Sequence, residues 1–189
     1  MKTMKIFPVI LIILITGSFI SCGNGGVSAE EAREILSELV YKAEELNEIY
    51  WGKGIEPGET VEVLSKSTPK YVKVSPQSKY RDINSLKIAT ESVFTEEFCR
   101  IIFEMAFFGS EEIIARYNES DDGVLMVNVN DEGYALQTKL FPEKAEIKSQ
   151  YGGRLTLMVP AEFGGKPYED IKIVLIKENG VWLIDSPTY

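Results

Sequence analysis

Two short helical patterns in tandem, SLKIATESVFTEEFCRIIFEMAFFG over residues 85–109, constrain this chain more than any other stretch. The first opens at Ser85 and the second at Thr95, each with a hydroxyl placed to accept from the free N–H groups of a first turn. Phe98, Ile101, Ile102 and Met105 recur at steps of three and four, while Phe94, Phe103, Phe107 and Phe108 carry the apolar surface nearly all the way round. A helix apolar on every side has to be covered. The cover is expected to be a sheet, and the segments able to supply one follow it in sequence.

Upstream, Ser28-Ala29-Glu30-Glu31 is a capping box that opens a long amphipathic helix. Ala32, Ile35, Leu36, Leu39, Val40, Ala43, Leu46, Ile49 and Tyr50 hold one face before Gly52 and Gly54 end it. Downstream of the tandem helices the period changes from 3.6 to 2. Strands are expected over 113–117, 124–129, 134–141, 144–151, 155–159, 171–177 and 181–185, separated by Asp-Gly, Gly-Gly and Asn-Gly turns. Helices first and antiparallel strands after them define an α+β domain with its helices against one sheet face. Residues 55–83 fit this scheme least. Pro57, Pro69 and Pro76 interrupt weak strand patterns at 61–64 and 70–74, so the segment reads as an irregular insert, a hairpin or edge flap.

The amino terminus belongs to another category. Lys2 and Lys5 precede an apolar run over residues 6–20, the layout of an export signal, and the run is too short and too poorly flanked for a confident membrane span. Phe19-Ile20-Ser21-Cys22 closes it and resembles the lipobox of bacterial lipoproteins, with Phe19 where that motif prefers Leu. The resemblance implies residues 1–21 as a signal peptide and Cys22 as the lipidated first residue of the mature chain. Residues 22–27 are then a short tether and residues 28–189 a single domain. The expected location is the extracytoplasmic side of a cell membrane, reached through lipid on Cys22. A formal net charge of −9 argues against nucleic acid and against electrostatic docking on anionic lipid.

Several chemistries are excluded by composition. The chain has no histidine, which removes Ser-His and Cys-His nucleophilic systems and histidine-based zinc sites. Cys99 is the one thiol left besides Cys22, too few for a cysteine zinc site, and its place in an apolar helix reads as a buried small hydrophobe. No Gly-rich phosphate loop precedes a helix, and the acidic turns at 121–122 and 131–132 lack the spaced oxygen ligands of a calcium loop. Neither cofactor nor metal is expected. Arg81, Arg116 and Arg154 are scarce cations on an acidic protein, suited to structural ion pairs or to a partner's carboxylate.

The order of elements resembles the NTF2-like superfamily, in which helices pack inside a cone-shaped antiparallel sheet. Gly180-Val181-Trp182-Leu183-Ile184-Asp185-Ser186-Pro187 is similar to the closing strand of exported NTF2-like lipoproteins. Val93-Phe94-Thr95-Glu96-Glu97 is similar to a helix start in those lipoproteins and in IseA-type inhibitors of cell-wall DL-endopeptidases. Two functions follow as expectations. One is a non-catalytic envelope lipoprotein that binds a protein or peptidoglycan fragment, inhibition of a wall hydrolase being its sharpest form. Tyr71, Tyr80 and Arg81 of the insert are its contact candidates, because aromatic and arginine side chains most often carry interface energy. The other is a small-molecule binder or an isomerase- or hydratase-type enzyme using the cone interior. Such members place Asp and Tyr there, which singles out Tyr117, Tyr134, Tyr151 and Asp185 by their positions in strands. The bulk of the phenylalanine-rich helix, enough to plug a cone, favours the first.

Overall fold

The computed structural model describes residues 26–59, 68–110 and 113–189. Helix α1 (Ala29–Tyr50) comes first, then strand β1 (Tyr71–Lys73) and helices α2 (Ile83–Glu91) and α3 (Glu96–Phe103), the last running into a π-turn (Glu104–Phe108). Strands β2 (Tyr117–Glu119), β3 (Leu125–Asn128), β4 (Thr138–Leu140), β5 (Glu146–Tyr151), β6 (Arg154–Phe163), β7 (Lys166–Glu178) and β8 (Val181–Ile184) complete the chain. The fold is α+β, with one long helix, two short ones and a strongly curled antiparallel sheet forming a half-barrel.

Ser28 caps α1, its hydroxyl accepting from Glu31 N–H at 3.1 Å. The buried stripe comprises Ala32, Leu36, Leu39, Val40, Ala43, Leu46, Ile49 and Tyr50. Ala32 and Ala43 have no exposed surface, and their small side chains let the helix axis approach its neighbours closely. The far end of α1 carries no basic residue in its last turn. Arg116 and Tyr117 supply what is missing. Arg116 donates from Nη1 to Tyr50 O at 3.2 Å and from Nη2 to Gly52 O at 2.6 Å, and Tyr117 Oη donates to Ile49 O at 2.7 Å. A buried cation on these carbonyls, which have no partner within the helix, also opposes the negative end of the helix dipole.

The main sheet has the order β4-β6-β7-β8, with β5 pairing the first half of β6 and β4 the second. Leu155, Leu157, Val159 and Ala161 of β6 and Ile173 and Leu175 of β7 point inward, and with Leu36, Ala43, Phe94, Ile102 and Ile184 they form one contiguous core. Two bulges bend the sheet. In β7, Glu169 and Asp170 stand opposite the single Pro160, which has no N–H for the ladder; in β5, Lys148 is the extra residue. The Asn179-Gly180 turn joins β7 to β8 with both φ values positive, 50° and 87°, as a two-residue hairpin requires. A smaller sheet, β1-β3-β2, adds Val72, Val127 and Tyr117 to the buried side along one row of partners.

The structure departs from the sequence expectations at several points. Helix α2 starts earlier than Ser85. Asp82 is its cap, accepting from Ser85 N–H at 2.7 Å, and the Ser85 hydroxyl is turned back to donate to Asp82 O at 2.9 Å. Thr95 does cap α3. The tandem helices are covered on one side only: Ile102 and Cys99 are buried, whereas Ile88, Ile101 and Phe108 are exposed. Residues 113–116 form no strand, since Ser110 takes up backbone groups locally, its hydroxyl accepting from Ile113 N–H and its N–H donating to Ile113 O. Tyr134 also lies outside a strand. Its N–H is spent on Trp51 O at 2.7 Å, and a Cβ on the preceding Gly133 would overlap the Gly52 oxygen, so that loop is pinned to the end of α1. The strand expected over 61–64 lies outside the described residues.

Candidate functional site

The residues expected inside the cone do not converge. Tyr117 is fully buried, but its hydroxyl is used twice: it donates to Ile49 O and accepts from Ile55 N–H at 3.1 Å. Burial pushes its phenol up to about 12, so it stays protonated and holds this bridge. Asp185 follows β8. Its Oδ1 accepts from Thr95 Oγ1 at 2.8 Å and its Oδ2 lies 3.5 Å from Arg154 Nη1, which ties the last strand to the cap of α3. Tyr134 and Tyr151 are outside altogether, 77% and 89% exposed, because one sits on the pinned loop and the other at the tip of the β5–β6 hairpin. Tyr134 is therefore not a lining residue of the interior.

The insert divides in the same way. Tyr80 is buried against α1 and does not face a partner, since its ring belongs to the core cluster and Ser78 holds its backbone. Tyr71 and Arg81 do share a groove, of about 570 Å³, with Lys73 and Met126. Tyr71 is half-buried and donates its hydroxyl to Ala115 O at 2.7 Å. Burial, with Asp131 nearby, raises its phenol above the usual range. Arg81 is exposed, and among the described residues its guanidinium has no ion-pair partner. Lys73 is paired with Asp122 at 2.7 Å, which together with a hydrogen bond from Ser120 lowers that carboxyl to about 2. The edge strand expected over 70–74 is present as β1, and its flank is occupied by residues 56–58 through Gly58 N–H to Lys73 O and Ser75 N–H to Glu56 O. Cys22 lies outside the described residues.

Sequence reasoning missed a larger feature. A groove of about 990 Å³ runs along α3 and its π-turn on one side and β8 on the other. Phe94, Cys99, Phe103 and Leu183 make its apolar floor, and Glu91, Glu96, Glu97, Glu104 and Glu178 stand around it with Lys87 and Arg100. The groove exists because residues 93–95 run beside β8: Ile184 N–H donates to Val93 O and Thr95 N–H donates to Ile184 O. The π-turn sets its wall. One extra residue in the turn, closed by Gly109 N–H to Glu104 O, sends Phe107 inward against Tyr50 and Tyr117 and leaves Phe108 outside, 76% exposed. Cys99 at the floor is 2% exposed and contacts Phe94 O. Burial first, and then the carboxylates of Glu91 and Glu178, push its thiol up to about 12, which makes it a poor nucleophile. No local sequence signal announces a groove whose two walls are about ninety residues apart in the chain, and in the sequence Glu91 and Glu96 each stand four residues from a cation, Lys87 and Arg100.

A scan against models of protein families finds no match to this chain, and a search of curated proteins finds none either.

Proposed function

We propose that this chain is an exported lipoprotein, tethered through Cys22, whose domain binds a protein or peptidoglycan partner and performs no turnover. The observation that supports this reading best is the commitment of Tyr117 and Asp185 to the scaffold: each carries bonds that hold α1 or β8 in place, so neither is free to exchange a proton with a ligand. The half-barrel and the helix across it are in keeping with the NTF2-like resemblance, within which the IseA-type likeness at residues 93–97 favours inhibition of a wall hydrolase. Tyr71 and Arg81 are the contact residues on the outer face of the β1 flap, where an unpaired guanidinium beside a half-buried aromatic suits a partner's carboxylate.

The test is capture of the lipidated protein's envelope partner by crosslinking. The Tyr71→Ala/Arg81→Ala variant should keep its circular dichroism and thermal midpoint and lose at least about tenfold in capture. Undiminished capture, combined with turnover of an envelope-derived small molecule that Asp185→Asn abolishes, would replace this reading with the isomerase- or hydratase-type one.

A further inference from the structure

We infer that the groove between α3 and β8 is a second docking site, and that its occupant is a basic, amphipathic peptide segment of another protein. The inference does not depend on the β1 flap. Apolar floor and acidic surround each specify half of the occupant. Phe103, half-buried, and Phe108, exposed, call for aliphatic or aromatic side chains to cover them, beside floor residues Phe94 and Leu183 that the domain already buries.

The charges specify the rest. The groove's own cations are already engaged: Arg100 pairs with Glu104 at 3.1 Å, and Lys87 Nζ lies over the rings of Phe103 and Phe107 at 5.3 and 5.4 Å. Among the described residues, Glu91, Glu96, Glu97 and Glu178 have no ion-pair partner. An occupant carrying Lys or Arg beside apolar residues supplies the counter-charge that these carboxylates lack. A second copy of this chain fits poorly, because it brings the same excess of 29 acidic over 20 basic residues to an acidic surface. A simple cation also fits poorly, because it leaves Phe103 and Phe108 uncovered, whereas the cleft is at the upper end of the range of about 300–1,000 Å³ typical of ligand sites.

The probe is a short fluorescein-labelled peptide in which lysines alternate with leucine and phenylalanine, compared with its glutamate-for-lysine counterpart. Binding is followed by anisotropy, and the site by amide shifts in the soluble domain. The lysine peptide should shift amides of α3, the π-turn and β8, and its affinity should fall as salt rises. Glu91→Gln/Glu97→Gln/Glu178→Gln should weaken it at least about tenfold, Phe108→Ser should weaken it also, and Tyr71→Ala/Arg81→Ala should bind as the parent does. Circular dichroism checks that each variant is folded. Four outcomes overturn the inference: shifts elsewhere, equal binding of the glutamate peptide, indifference to the glutamate substitutions, or spermidine binding there as tightly as the peptide. Sedimentation showing a dimer that buries α3 and β8 would assign the groove to self-association and overturn it as well.

Discussion

Arg116 illustrates how one side chain can look functional in a sequence and be structural in the fold. An arginine on an acidic chain suits a ligand carboxylate as well as a structural pair, yet here it is 4% exposed and spends both terminal nitrogens on the carbonyls at the end of α1, with Asp131 3.9 Å away. Its neighbour Tyr117 closes the same helix end through one hydroxyl that serves two backbone groups. Arg116→Met should therefore lower stability by roughly 2–4 kcal/mol, because charged hydrogen bonds to buried carbonyls are lost without replacement. Tyr117→Phe should cost about 1–2 kcal/mol, the penalty of leaving a buried carbonyl and N–H unpaired. Urea midpoints at constant slope measure both. A midpoint unmoved by Arg116→Met would return the residue to the list of ligand contacts.

At the scale of elements, the closing hairpin shows what local pattern can and cannot reveal. The Asn179-Gly180 turn, the β8 strand and the Ser28 cap of α1 were legible because each is fixed by neighbours in sequence. The extents of β2 and β4 were not, since they depend on where Ser110 and Tyr134 spend their backbone groups, and Trp51 is more than eighty residues from Tyr134. Trp182 is an intermediate case. It shares the inward face of β8 with Ile184, but it stands at the strand's first paired positions, where it is half-buried with Lys177 Nζ 5.6 Å from its ring. Ile184 is fully buried and bridges Leu175 to Phe94. Ile184→Ala should thus cost about 2–5 kcal/mol, the range for truncating an enclosed aliphatic side chain, and more than Trp182→Ala despite the smaller side chain. Thermal or urea denaturation of the two variants decides it, and the reverse order would mean that the tryptophan, not the isoleucine, anchors the last strand. The groove beside this strand was illegible for the same reason as β4: its walls meet through the Phe94–Ile184 bridge and the Thr95–Asp185 hydrogen bond, between residues far apart in sequence.

For the whole molecule, the proposed function requires that an acidic domain be held beside a partner. Among the described residues no helix is long and apolar enough to cross a membrane. A net charge of −9 repels anionic lipid, so adsorption by surface charge is unfavourable. Under the proposed function, attachment falls to the lipid on Cys22, and the linkage of that cysteine to retention is direct. One acyl chain gives only marginal and reversible binding, whereas the several chains of a lipoprotein cysteine add about 0.8 kcal/mol per buried methylene and hold the domain firmly. Cys22→Ala should consequently abolish metabolic labelling with fatty acid and stop maturation by the lipoprotein route. The folded domain itself should be unaffected, because among the described residues Val27 is the first packed against the core and Ser28 still caps α1. The readout is labelled fatty acid on the purified chain, together with the denaturation midpoint of the soluble domain. Undiminished labelling of the variant would place the lipid elsewhere and remove the tether from the proposal.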